Sequence, residues 1–188
     1  MSSQLWWYVA RAGGIVALAL TGLSVIYGLL LSSGLLDRHP SKKWLLSLHR
    51  WLGGLAVTFT GVHLLGLVAD SYLSFGLLDV LVPLASAWNP IGVAWGVITM
   101  WLLVAVQVTS LLMRRLPRQW WKRIHLASFG LFLTGIVHGA MAGSDASHPL
   151  YVVGVVTMVL VTVFLTAYRV LTGRLRSTTR PAPVGAAP

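Results

Sequence analysis

The chain has 188 residues, of which 56% are hydrophobic and 10% are charged, and its formal net charge is +10. A soluble domain carries roughly 25% charged residues, so this composition excludes a soluble globular protein and also a disordered chain. The absence of cysteine excludes disulfides, thiolate-bound metal sites and iron–sulfur clusters. Because the basic residues cluster between apolar stretches, we interpret the charge as membrane-flanking charge and predict no nucleic-acid partner.

Five stretches are apolar over the roughly 20 residues that a helix needs to cross a bilayer. They cover residues 9–34, 44–69, 91–113, 124–142 and 150–172. The first lacks the basic start of a signal peptide and is too long for one. The sequence therefore predicts an all-α integral membrane bundle of five transmembrane helices, embedded in the lipid bilayer of the inner or plasma membrane. We expect an interfacial loop with a short helix at residues 70–90, a single domain at 1–173 and a disordered cytoplasmic tail at 174–188.

The basic residues indicate the orientation of the five spans. The loop after the first span, the loop after the third and the C-terminal tail share one side of the membrane. With the adjoining helix ends, these segments hold 13 of the 14 basic residues. The opposite side has Arg11 and three acids, Asp70, Asp79 and Asp145. Because basic loops are retained in the cytoplasm, we predict an N-terminus outside and a C-terminus in the cytoplasm.

Four of the six histidines lie within predicted spans, where polar side chains are costly and usually mark function. His49 and His63 are 14 residues apart on the second span, and His125 and His138 are 13 apart on the fourth. Each separation is about 20 Å along a helix axis, and the two spans run in the same direction. We therefore predict an inner level with His49 and His125 and an outer level with His63 and His138. Two imidazoles at each level suit a six-coordinate haem b, so the pattern favours two stacked haems.

Two alternatives and one geometric mismatch accompany this interpretation. Each histidine could instead form only a hydrogen bond to a neighbouring helix, although two matched pairs argue against that. A zinc cage needs its ligands within a few ångströms of one another, which two levels about 20 Å apart cannot provide. Thirteen residues of ideal helix turn the second side chain by about 140°. Either the fourth span is distorted near Gly130 or Gly135, or its two imidazoles approach their metal atoms from different directions.

Three arginines are candidates for contact with a haem. Arg50 and Arg123 adjoin the inner histidines and suit haem propionates, or they only anchor helices at the inner surface. Arg11 is the one basic residue of the outer side, so we expect it to contact the outer haem or its acceptor rather than only snorkel to the headgroups. His39 and His148 are expected to be ordinary loop residues. Six glycines could leave room for porphyrin or only allow close helix packing: Gly53, Gly54, Gly61, Gly130, Gly135 and Gly139.

Several segments together carry a resemblance to a known family. They are the histidine separations of 14 and 13 on two helices of the same direction, the stretches TSLLMRRLP (109–117) and WKRIH (121–125), and the pair at 138–139. The chain resembles the ferric reductase-like transmembrane domain over nearly its whole length. That superfamily includes ferric reductases, NADPH oxidases and the haem-binding subunit of the bacterial methionine sulfoxide reductase system. Arg11 occupies the place where the family has an arginine.

The resemblance implies bis-histidine haems and electron flow from a cytoplasmic donor to an outer acceptor, namely ferric iron, oxygen or a redox partner. Unlike the NADPH oxidases, the chain has a short tail after Gly173 and no G-x-G-x-x-G motif, so we expect no flavin or nicotinamide domain of its own. The expected donor is a cytoplasmic flavoprotein reductase, a flavin at the inner surface or membrane quinol. The chain would then be the haem component of an oxidoreductase. The alternatives are a cytochrome b anchor subunit between quinone and a separate catalytic subunit, and a haem-free transporter or structural bundle.

Overall fold

The computed structural model describes residues 3–35, 42–71 and 75–178. Within these ranges the chain forms six helices: α1 Ser3–Ser33, α2 Lys42–Ala69, α3 Leu77–Leu81, α4 Pro90–Leu111, α5 Arg118–Ala142 and α6 Pro149–Thr178. The five long helices are apolar and long enough to cross a membrane. Even the shortest of them, α4 with 22 residues, spans about 33 Å, slightly more than the hydrocarbon core of a bilayer. The predicted all-α architecture with five spans is confirmed.

The helices extend beyond the apolar stretches that predict them. α1 and α5 each begin six residues earlier than predicted, at Ser3 and Arg118. α6 continues to Thr178, beyond residue 174, and the division into a domain and a disordered tail stays a prediction. The physical reason is that backbone hydrogen bonding continues through polar helix-forming residues after the apolar segment has ended. Residues 179–188 and the loop residues Arg38 and His39 lie outside the described part of the chain.

Two antiparallel hairpins form most of the bundle. α1 packs along α2, and α4 packs along α5, while α6 packs against α1. Val25 and Leu29 of α1, Phe132 of α5 and Leu165 of α6 form one buried cluster that joins these elements. The first hairpin therefore carries His49 and His63, both on α2, and the second carries His125 and His138, both on α5.

A second buried cluster lies between the two histidine levels. It consists of Ala56 on α2, Leu103 on α4 and Leu131 on α5, and Leu20 and Leu102 pack against it. Ala56 is seven residues from both His49 and His63 in sequence. Leu131 is six residues from His125 and seven residues from His138. An aliphatic layer thus separates the inner and outer levels.

Residues 75–89, which precede α4, cover the end of the bundle that is nearer to His63 and His138. They contain α3, the short helix predicted for this loop, and their Phe75 and Val80 are buried against α4. Trp101 of α4 donates its indole N–H to the carbonyl of Leu81 over 2.9 Å. Asn89, at φ 41°, caps α4 and also donates its side-chain N–H to the carbonyl of Met141 over 2.8 Å. These bonds tie the covering segment to the outer ends of α4 and α5.

Candidate cofactor site

The structure brings the four membrane histidines together in two pairs. The ring centroids of His49 and His125 are 6.0 Å apart, with an angle of 73° between the ring planes. The ring centroids of His63 and His138 are 6.2 Å apart, with an angle of 74°. These are the partners that helix direction and spacing predict. Their assignment as haem ligands stays a prediction at this point.

Three of the imidazoles donate a hydrogen bond to a backbone carbonyl of the neighbouring helix. His49 Nδ1 lies 2.9 Å from the carbonyl oxygen of Ser24, and His63 Nδ1 lies 2.6 Å from that of Ala10, both on α1. His138 Nδ1 lies 2.8 Å from the carbonyl oxygen of Gly92 on α4. A carbonyl oxygen can only accept, so Nδ1 carries the proton in each ring. Nε2 is then left unprotonated, with a lone pair available for a metal atom.

A glycine follows each of these carbonyls by four residues. An added Cβ at Gly14 would lie 3.0 Å from His63 Nδ1, and one at Gly28 would lie 3.3 Å from His49 Cε1. At Gly96 the added Cβ would lie 2.6 Å from His138 Cε1. In an α-helix each backbone N–H donates to the carbonyl four residues earlier, so each of these glycines lies beside the carbonyl that accepts from the histidine. A side chain at the glycine would therefore obstruct the imidazole.

Sequence reasoning missed these three glycines, although a signal for two of them exists. Gly14 and Gly28 are 14 residues apart on α1, which is also the separation of His49 and His63 on α2. Two antiparallel helices in contact align residues of equal spacing in reverse order, so Gly28 faces His49 and Gly14 faces His63. Matching separations on adjacent apolar helices would have indicated the contact.

His125 is held differently from the other three histidines. Its Nδ1 lies 3.4 Å from the hydroxyl oxygen of Ser110 on α4. The Ser110 hydroxyl donates to the carbonyl of Val106 over 2.7 Å, so toward His125 it acts as the acceptor. The Trp121 indole also stacks on the His125 ring, with centroids 5.0 Å apart and planes at 21°. α5 is continuous from Arg118 to Ala142, so the 13-residue spacing is met by imidazoles that leave the helix in different directions.

The pair geometry fits one metal atom between each two imidazoles. A metal–imidazole nitrogen bond is about 2 Å long and the ring centroid lies about 1 Å behind that nitrogen, so two imidazoles on one metal atom have centroids about 6 Å apart. The observed 6.0 and 6.2 Å match this separation. Among the described residues, no group of three or more His, Cys, Asp or Glu side chains lies close enough to hold a metal ion. Two imidazoles per metal atom would suit a six-coordinate haem.

A cavity of about 490 Å³ surrounds the outer histidine pair. Its lining includes His63 and His138 and also Trp7, Trp88 and Tyr151. The volume lies within the range of 300–1,000 Å³ that is typical of cofactor and ligand sites. The cavity therefore offers room for a flat group between the two imidazoles.

Arg11 also lines this cavity and forms an ion pair that the sequence does not predict. Its Nε and one terminal nitrogen donate to the two carboxylate oxygens of Asp145 in the α5–α6 loop. Its guanidinium carbon lies 4.9 Å from the ring centroid of Trp7. The hydrogen bond from Arg11 holds the pKa of the Asp145 carboxyl below its ordinary value. Arg11 thus has two side-chain partners at the cavity, and its contact with a haem or an acceptor stays a prediction.

The remaining predicted site residues are less closely associated with the histidines. Arg50 is exposed and lines a surface groove beside Trp51. Arg123 is also exposed, and its guanidinium carbon lies 5.6 Å from the ring centroid of Trp120. His148 is exposed in the α5–α6 loop. The described contacts of Arg50 and Arg123 therefore fit the anchoring alternative, and their contact with a haem stays a prediction.

The six glycines named from the sequence divide into two groups. Added Cβ atoms at Gly54, Gly61 and Gly130 would have no neighbour within 4 Å. Those at Gly53, Gly135 and Gly139 would meet side chains of adjacent helices. Gly135 and Gly139 also line the cavity around His63 and His138, so both room for porphyrin and close helix packing stay open for them.

Five membrane-spanning helices with two facing imidazole pairs define a class of multi-pass membrane protein with paired-histidine sites. The family described as the ferric reductase like transmembrane component matches residues 13–136, which is more than half of the chain. The chain belongs to this family, as its resemblance predicts, and that membership suggests membrane electron transfer. The match includes His49, His63 and His125 and ends two residues before His138. No curated protein and no solved structure matches the chain.

Proposed function

We propose that the chain binds two haem b groups and carries electrons across the membrane by passing them from one haem to the other. The inner haem would be bound by His49 and His125, and the outer haem by His63 and His138. The observation that carries this proposal is the repeated geometry of the two pairs, with centroids 6.0 and 6.2 Å apart and each Nδ1 engaged by a neighbouring helix. Haem supplies one-electron redox chemistry when it is bound.

The protein residues hold and isolate the two sites. The carbonyls on α1 and α4 fix the tautomer and orientation of their imidazoles, and such hydrogen bonds raise the basicity of a ligating histidine. The buried layer of Ala56, Leu103 and Leu131 is aliphatic and would therefore disfavour water between the levels. A dry layer favours electron passage without a path for protons, which is what a transmembrane electron carrier needs.

The outer site has features that suit an anionic group. Arg11 is a permanently charged donor at the cavity, and its guanidinium presents a planar fork that matches carboxylates. Its pairing with Asp145 leaves the outer cavity close to neutral until a competing anion binds. A haem propionate, or a carboxylate of the acceptor, would have to share Arg11 with Asp145.

The proposed orientation places the N-terminus outside and the C-terminus in the cytoplasm. It is supported by the distribution of the basic residues, 13 of which fall on the predicted cytoplasmic side. A cytoplasmic flavoprotein or membrane quinol would then supply electrons at the His49–His125 level. Ferric iron, oxygen or a redox protein would receive them at the His63–His138 level.

Haem quantification of the detergent-purified protein tests the proposal. We expect two haem b groups per chain, by pyridine haemochrome against protein concentration, with a low-spin reduced-minus-oxidised spectrum. His63→Ala and His138→Ala should each reduce the content to one haem, and His148→Ala is the matched control because that histidine is exposed and lies outside both pairs. A protein that is fully helical and colourless after expression with ample haem would refute the proposal.

A further inference from the structure

Tandem tryptophans at the start of α5 occupy different environments. The Trp120 side chain is 53% exposed and lies beneath Arg123. Trp121 is partly buried and stacks on His125, one helical turn further along the same face. Tryptophans at the end of a membrane span are typical of an aromatic belt at a membrane surface. The structure singles out Trp121 as a neighbour of the inner histidine pair.

Within the described part of the chain, the indole N–H of Trp121 has no acceptor. Among the described residues, its Nε1 is buried and has no hydrogen-bond partner. An indole nitrogen can only donate, and nearly all buried donors in native proteins have a partner. Within residues 3–35, 42–71 and 75–178, the other buried side-chain atom without a partner is Thr162 Oγ1, on α6, which carries none of the four membrane histidines. The orphaned donor at the inner level therefore points to an oxygen acceptor supplied by a bound group.

Apart from the Ser24 hydroxyl, which lies 3.3 Å from His49 Nδ1, the other donors near the inner histidines are exposed or already engaged. Arg50 and Arg123, the cations nearest to the inner histidines in sequence, are exposed. The Ser110 hydroxyl proton is used by the Val106 carbonyl, and the His49 and His125 Nδ1 protons are used by α1 and α4. Trp121 Nε1 thus remains as a donor that no described residue engages.

We propose that Trp121 is a haem-binding residue of the inner site. Its ring supports the plane of the His125 imidazole, and its N–H donates to a propionate carboxylate of the haem between His49 and His125. This inference rests on the proposed function, since the propionates are the carboxylates that a haem brings to the site. It assigns the inner propionate contact to an indole in place of Arg50 or Arg123.

Two substitutions at Trp121 separate its two contributions. Trp121→Phe keeps an aromatic ring against His125 and removes the N–H. Trp121→Leu removes both. Trp120→Phe is the matched control, because it makes the same chemical change one residue away at an exposed ring. Each variant is prepared as the full chain loaded with haem.

The first readout is the rate at which haem is lost to excess apomyoglobin. We expect Trp121→Phe to lose one of its two haems about tenfold faster than the unsubstituted protein, as befits one hydrogen bond to a charged acceptor. The other haem should leave at its original rate, which shows that the bundle is folded. Trp120→Phe should change neither rate by more than about twofold. Repeating the substitution in a His63→Ala chain, which retains only the inner pair, should reproduce the faster loss and assign it to the inner haem.

The second readout is the low-spin EPR signal of the oxidised protein, which depends on the angle between the two axial imidazole planes. Trp121→Phe should leave the inner signal in place, whereas Trp121→Leu should change it, because His125 then loses its stacked support. Unchanged loss of both haems in Trp121→Phe would overturn the inference while leaving two-haem binding intact. Equal acceleration of both haems would overturn it as well, since the effect would not be confined to the inner site. An unsubstituted protein without haem would overturn this inference and the proposed function together.

Discussion

Gly96→Ala should remove the outer haem while leaving the inner one in place. The added methyl group would lie 2.6 Å from Cε1 and 2.7 Å from Nδ1 of His138. Ordinary carbon contacts are about 3.5–4.0 Å, so the imidazole must move by about 1 Å. A ligand bond tolerates only about 0.2 Å, and the movement would also break the hydrogen bond to Gly92. Alanine favours a helix over glycine by about 1 kcal/mol, so α4 itself is not weakened.

Two other glycines provide graded controls for this prediction. At Gly28 the added methyl group would lie 3.3 Å from His49 Cε1, which requires a shift of only a few tenths of an ångström. Gly28→Ala should therefore keep two haems, with at most a changed inner spectrum. Gly154 has no atom within 4 Å of its added Cβ, so Gly154→Ala should behave as the unsubstituted protein. Pyridine haemochrome quantification should give one, two and two haems per chain for Gly96→Ala, Gly28→Ala and Gly154→Ala, and two haems in Gly96→Ala would refute the reasoning.

Three further predictions concern the inner ligand, the outer ion pair and the topology. Ser110→Ala removes the hydroxyl that accepts from His125 Nδ1, which makes His125 a less basic ligand. The midpoint potential of the inner haem should therefore rise by about 20 mV in a redox titration, and that of the outer haem should not change. The pKa of Asp145 is lower in the folded protein than its value of about 3.9 in the unfolded chain. The ion pair with Arg11 therefore contributes its full stabilisation above about pH 3.9, and this stabilisation is lost only as the pH falls through the lower pKa of the folded state. The hydrogen-exchange rate of residues 143–148, corrected for intrinsic rates, should therefore stay constant from pH 5 to 8 in the unsubstituted protein. In Asp145→Asn the corrected rate should be higher at every pH. A rise of the rate as the pH is lowered from 8 to 5 in the unsubstituted protein would contradict this prediction. The chain has no cysteine, so Ser147→Cys should react with an impermeant maleimide on intact cells and Gln119→Cys only after lysis, and the reverse pattern would contradict the orientation.

The sequence predicts the spans and the pairing of levels well because both depend on local properties. Apolar stretches of sufficient length determine the five spans, and the direction of successive spans determines that His49 and His125 share a level. The helix ends are less predictable, as α6 shows by continuing to Thr178. Hydropathy locates the membrane, but it does not report where backbone hydrogen bonding ends.

The contacts that orient the histidines depend on how helices align, which is not a local property. Whether Ser24 or a residue one turn away faces His49 follows from the register of α1 against α2. The pairing of Arg11 with Asp145 joins residues 134 positions apart and depends on the path of the α5–α6 loop. Neither contact leaves a pattern within one helix. The equal spacing of Gly14 and Gly28 is the exception, and it is informative only when it is compared with the histidines of the next helix.

The two levels differ in how firmly the protein fixes their ligands. Both outer imidazoles donate to backbone carbonyls at 2.6 and 2.8 Å, and backbone atoms of a helix cannot adjust without breaking the helix. At the inner level His125 has a serine hydroxyl at 3.4 Å and the stacked ring of Trp121, and both are side chains that can move. The inner site should therefore be the more readily altered by substitution, by detergent and by a partner that docks at the basic surface. Preferential loss of the inner haem on prolonged detergent exposure would support this difference, and preferential loss of the outer haem would show that the carbonyl contacts do not govern retention.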